Sequence, residues 1–181
     1  PVYQPDREIR VFTIMPSTHE VLCELFDQMD GFNFPVRADE LPSRAECIYE
    51  RPDVYLRDHD IDVTTIDLNH PGGGTGFRLA DDGVTCAYVT DNELEPPDRP
   101  RTNYDQFVDF CHGVDVLIHD AQYTRSDMPH KHGWGHSLVS EFGPLAVDAD
   151  VGGDVLLHHA PERPDAKIDE ILGENQAWFK G

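Results

Sequence analysis

The chain has 181 residues, 39% of them apolar, which is enough for one domain with a packed core and too few for two full ones. Acidic residues outnumber basic ones 35 to 14, for a formal charge of −21. That balance excludes nonspecific nucleic-acid binding, because phosphate contacts need clusters of Lys and Arg. No apolar run approaches the roughly 20 residues of a membrane-spanning helix and Pro1–Arg7 has no secretory-signal progression, so a cytoplasmic protein with no membrane partner is expected.

In chain order, Glu8–Ile14 alternates with period two and reads as a strand. Ser17-Thr18-His19-Glu20 has the form of a capping box, followed by Val21, Leu22, Leu25, Phe26 and Met29 at helical spacing and Gly31 as the stop. Residues 31–60 carry Pro35, Pro42, Pro52 and many charges and read mostly as loop or edge, with a short strand at Cys47–Tyr49. Ile61–Leu68 is a strand, and Pro71-Gly72-Gly73-Gly74 a turn. Phe77–Leu79 and Thr85–Val89 make a hairpin around Ala80-Asp81-Asp82-Gly83. A Pro-rich loop over Glu95–Arg101 leads into a helix at Tyr104–Cys111. A buried strand, Val114–Ile118, ends at His119-Asp120, and a loop runs over Ala121–Gly135. A helix from Ser137 to about Ala149, a strand Val155–Leu157 and a helix opened by Pro164 with Ile168, Ile171 and Leu172 on one face complete the chain. Strands followed by alternating strands and helices indicate a mixed α/β fold. Cys23, Cys47, Cys86 and Cys111 form no C-x-x-C pair and read as buried free thiols.

Three of these segments, Asp67-Leu68-Asn69-His70, Ala87–Asp91 and Asp154–His158, are strands that stop at a side chain able to bind a metal. Strand ends converge on one rim of a sheet, and the scaffold beneath them is rigid. Two imidazoles and a carboxylate suit Zn²⁺, Mn²⁺ or Fe. The acids are scattered, which reads as a solubilising surface, so an anionic substrate needs a metal to overcome local repulsion. His159 is the rival to His158, because strand endings shift by one residue and alternation points only one of the two into a site. His19, His59 and His112 read as structural, and His130 and His132 as exposed loop residues.

Five pieces in this order resemble the metallo-β-lactamase-fold hydrolases, and within them the phosphodiesterase-like branch related to ribonuclease Z. They are Leu68-Asn69-His70-Pro71-Gly72-Gly73, Tyr88–Glu93, Asp115–Tyr123, Gly133-Trp134-Gly135-His136-Ser137 and Leu156-Leu157-His158-His159-Ala160-Pro161. The resemblance implies an αββα sandwich of which residues 1–181 form a single domain, the C-terminal portion with an incomplete N-terminal half. It implies a site for two metal ions, zinc with manganese or iron as alternatives, in which His70 binds the first ion, Asp91 bridges both and His158 binds the second. His136 matches a position that binds or protonates the reacting phosphate; otherwise it is held by local hydrogen bonds ahead of the helix. Asp120 orients a histidine or serves as a cap or turn residue.

The H-x-H-x-D-H signature that resemblance calls for does not occur in the 181 residues. The expectation is therefore a chain that begins just after it, with three or four of the usual donors and an unpaired sheet edge that invites a homodimer. The function expected of the intact protein is hydrolysis of a small anionic ester or phosphodiester by a metal-bound hydroxide, with Asp91 and His136 catalytic. The alternative is a non-catalytic metal-binding or regulatory module that keeps the fold.

Overall fold

A computed structural model describes residues 4–12, 24, 28–29, 31–32, 36–48, 52–59 and 61–176. Of the helix expected over 17–29, Ser17–Cys23 and Leu25–Asp27 lie outside the described residues, as do Thr13, Ile14 and Tyr49 of the expected strands. The chain divides into two compact units, residues 1–60 and 61–181.

In the first unit, β1 (Glu8–Phe12) and β2 (Arg44–Ile48) pair in parallel, with Glu8 opposite Arg44 and Val11 opposite Cys47. A short helix, α1 (Pro52–Arg57), follows. The sequence reading had this stretch as loop because it took Pro52 as a breaker. Proline at the first helical position loses nothing, since that N–H has no intrahelical acceptor. Tyr55 takes a hydrogen bond from Arg10 and stacks on His59, with ring centroids 4.1 Å apart.

The second unit is built on a five-stranded sheet of order β3-β4-β5-β6-β7. Its strands are β3 (Asp62–Asp67), β4 (Thr75–Asp81), β5 (Val84–Val89), β6 (Val116–Asp120) and β7 (Asp154–Leu157). The first three form an antiparallel meander, whereas β5, β6 and β7 run parallel. Parallel neighbours need crossovers, and the helices α2 (Tyr104–Cys111) and α3 (Val139–Asp148) supply them. A final helix, α4 (Asp165–Gln176), closes the unit. The hairpin and α2 fall where the sequence placed them. β6 starts and ends two residues later than expected, so His119 and Asp120 lie inside it and are fully buried. Among the residues of α4 whose burial is described only Ile171 is buried; Leu172 is half exposed and does not share its face.

The core lies between one face of the sheet and α2 and α3, where Ala87, Val89, Leu117, Phe107, Cys111, Phe142 and Leu145 are sealed from solvent. Asn103 caps α2 with a reciprocal pair of hydrogen bonds to Gln106, which satisfies two otherwise orphaned groups. This geometry fixes the position of the site. β5, β6 and β7 point the same way, and β3, two antiparallel steps from β5, does too. Their C-terminal ends therefore share a single rim, the usual place for ligands in such sheets.

Candidate metal centre

That rim assembles Asp91, Asp120, His136 and His158, each offering one ligand atom within 4.8 Å of the others. Strand register explains three of them. Val89 lies opposite His119, and Asp120 opposite Leu157, so Asp91, Asp120 and His158 leave neighbouring strands at nearly the same height. Asp91 and His158 both hold left-handed backbone, with φ of 55° and 60°. That conformation is unfavourable for side chains other than glycine and turns the chain sharply at a strand end. The two turns follow β5 and β7, the strands on either side of β6, and aim both donors over the end of β6.

His158 Nε2 stands 3.3 Å from Asp91 Oδ1, and both side chains are partly open to solvent, at 38% and 47% exposure. Behind them sits a protected pair. His136 Nδ1–H donates to Asp120 Oδ2 at 2.6 Å, and the second Asp120 oxygen accepts from the Gln122 N–H at 3.0 Å. Burial pushes the Asp120 carboxyl up from its ordinary value, only partly offset by the hydrogen bonds from His136 and Gln122. The His136 ring stacks on His158 at 4.8 Å and 17° and meets Tyr123 edge-on.

The donor set fits a divalent transition metal, for which two imidazoles and two carboxylates are ordinary ligands. Within it the roles divide by what each atom already does. Asp120 accepts a hydrogen bond on each oxygen and His136 donates from Nδ1, whereas Asp91 and His158 face each other at the solvent side of the group.

His70 stands just outside this group. Its ring meets that of His136 edge-on at 5.6 Å, while its Nδ1 accepts the Gly72 N–H at 3.3 Å. Gly135 makes the approach possible: a Cβ there would lie 2.3 Å from the His70 ring, and its φ is +92°. His159 is also outside the group, with Nδ1 buried and unpartnered among the described residues and the ring held neutral by burial and by Arg163. His130 and His132 are exposed, and His112 ends α2. Cys111 is buried, its thiol pushed up to about 12 by desolvation, whereas Cys47 and Cys86 are partly exposed and all three are unbridged.

Two residues that the sequence reading passed over build the rim. Glu93, buried, accepts the Gly133 and Gly135 N–H groups at 2.8 and 3.0 Å, which clamps the loop carrying His136. Asn69, also buried, bonds Glu93, Arg101 and Thr102 and takes Asn92 Oδ1 on its own N–H. The available signal was their polar character beside an expected strand end, next to Asp91 and His70.

No family model matches the chain. It is 28% identical over 120 residues to ribonuclease Z of Halalkalibacterium halodurans, covering 59% of this chain and 38% of that protein. It superposes on the metallo-β-lactamase fold protein YhfI of Bacillus subtilis with a TM-score of 0.64 and 19% identity, over 97% of this chain and 60% of the other. On Zn²⁺-bound PqqB of Methylobacterium extorquens the TM-score is 0.56 at 17% identity, over 97% and 58%. The chain spans less than two thirds of the length of each of these proteins. It has the metallo-β-lactamase fold, as the sequence resemblance implied, and no described helix is long and apolar enough to cross a membrane.

Proposed function

We propose that this chain carries the metal-holding and proton-transferring side of a metal-dependent hydrolase that cleaves small phosphodiesters. The observation that carries this is the convergence of Asp91 and His158 in front of a buried Asp120–His136 pair. Asp91 and His158 would hold a divalent ion, which would supply a more acidic water and polarisation of the ester. Asp120 fixes the His136 tautomer by accepting its Nδ1–H and stabilises the charge when the imidazole is protonated. His136 then has Nε2 for delivering a proton to the departing oxygen. The bond class is supported by the ribonuclease Z relative. A charge of −21 favours a small diester over long RNA.

The H-x-H-x-D-H ligands are not among the 181 residues, and the chain spans 38% of the ribonuclease Z relative. We therefore assign one bound cation to this chain by itself, and turnover to a protein in which the signature accompanies it. Calorimetric titration of the chelator-treated chain with Zn²⁺ and with Mn²⁺ tests the first part. One ion per chain is expected, lost in Asp91→Asn and in His158→Ala. Hydrolysis of bis(p-nitrophenyl) phosphate by the signature-bearing protein tests the second. Metal binding without hydrolysis of any ester would establish instead the non-catalytic module, which the missing signature favours.

A further inference from the structure

We propose that the pocket beside His70 binds a second phosphoryl group of the substrate, held by Arg99 and Arg101. Arg7, Arg44, Arg57, Arg99, Arg101 and Arg125 make no side-chain hydrogen bond or ion pair among the described residues, and Arg99 and Arg101 are distinguished by sharing one pocket. Several others are engaged: Arg10 with Glu8, Arg37 with Asp39, Arg78 with the Phe110 and His112 carbonyls, and Arg163 with the Gln122 carbonyl. The pocket that Arg99 and Arg101 share has a volume of about 280 Å³ and is lined also by Asn69, His70 and Gly133.

The pocket is built rather than incidental. Asn69 Oδ1 accepts the N–H groups of Arg101 and Thr102 at 2.9 and 3.1 Å, and its amide donates to the Glu93 and Thr102 carbonyls. The loop that carries Arg101 is thus tied to the residue before His70 by a buried side chain. The guanidinium rests against the glycine turn: a Cβ at Gly73 would stand 3.1 Å from Arg101 Nη1. Glu93 and Asp98 also border the pocket. The Glu93 oxygens accept the Gly133 and Gly135 N–H groups and so face that loop, and Asp98 is exposed, so the two guanidiniums are left without an ion-pair partner among the described residues.

Two guanidinium forks matched to phosphate geometry provide a local attraction that the field of a −21 chain otherwise denies to any anion. Because His70 packs edge-on against His136, this pocket flanks the metal centre. The substrate class is then a small phosphodiester bearing a further phosphate. Only that last step rests on the proposed hydrolysis; the anion site stands on its own geometry.

Titration of the whole chain with inorganic phosphate in excess EDTA, followed by ³¹P NMR and calorimetry, separates the two, since no metal is then present. Saturable binding is expected, weakened about tenfold or more in an Arg99→Gln, Arg101→Gln double variant. Both arginines are exposed, so circular dichroism should show the variant folded. Absence of saturable binding, or equal affinity in the double variant, overturns the site even if the metal-loaded protein hydrolyses esters. Failure of hydrolysis with phosphate binding intact overturns the catalytic proposal alone.

Discussion

At the scale of single residues, the site depends on a division of labour between two carboxylates. Asp91 is half exposed and free to meet a cation, whereas Asp120 is sealed and answers to His136. Substitution should separate these roles. In the signature-bearing protein, His136→Ala should lower kcat for bis(p-nitrophenyl) phosphate by about 10²–10⁴-fold, the usual share of a positioned acid or base, with metal content unchanged. Asp120→Asn should lower kcat while leaving KM nearly constant and should move the alkaline limb of the pH profile to lower pH, because the imidazolium that donates the proton loses its charged partner. Equal loss of bound metal in His136→Ala and His158→Ala would make His136 a ligand and sink the division. A third histidine gives a stability signature. His119 is fully buried with Nε2 unpartnered among the described residues, and desolvation holds its pKa at about 4. The folded state thus resists a proton that the unfolded chain accepts near 6.5. The stabilising contribution of the neutral ring is complete above about pH 6.5 and is lost as pH falls toward 4, a swing of about 3 kcal/mol. Urea denaturation at pH 7 and pH 5 should show His119→Asn losing less stability on acidification than the wild type. Equal losses would refute the assignment.

At the scale of elements, the loop over residues 92–102 is held to the sheet by buried polar side chains as well as by Leu94 packed in the core. Asn69 Oδ1 and Nδ2 make four hydrogen bonds to the backbone of Glu93, Arg101 and Thr102 from a buried position. Asn69→Ala leaves those groups unpaired away from water, and a cost of about 3 kcal/mol in urea unfolding is expected. Asn69→Asp keeps an acceptor for the two N–H groups but sets a carboxylate oxygen against the Glu93 and Thr102 carbonyls, and should cost at least as much; an Ala variant as stable as wild type would show the loop held by other means. The strands leading to Asp91 and His158 were legible because their apolar runs stop abruptly, although only one face is covered: Tyr88, Val155 and Leu157 are exposed. The boundary of β6 was not. His119 and Asp120 look like a strand end, yet they continue the ladder, since a buried imidazole and a paired carboxylate are tolerated there. Pairing of Asp120 with His136 spans a loop and α3 follows it, so no local pattern encoded it. The helix at Pro52–Arg57 was hidden for the opposite reason: local composition suggested a break, and the proline sits at the one helical position that accepts it.

At the scale of the whole molecule, a charge of −21 acts on stability and on ligand binding with opposite signs. Like charges spread over the surface repel one another more in the compact state than in the expanded one, so folding works against their mutual field. The same field concentrates cations at the rim where Asp91 and His158 face solvent. Raising NaCl from about 0.05 M to about 1 M shrinks the screening length from roughly 14 Å to about 3 Å and removes most of both effects. The melting temperature of the metal-free chain should therefore rise, each kcal/mol gained appearing as about 2–4 °C for a protein of this size. Over the same range, the affinity for Zn²⁺ should fall, because the long-range attraction is screened while the two inner ligands are not. Calorimetric titrations at matched pH and a melting series at matched chloride measure the two slopes independently. If the melting temperature falls with salt, specific ion pairs rather than general repulsion govern the fold, and the scattered acids are part of a structure that the surface charge alone does not describe.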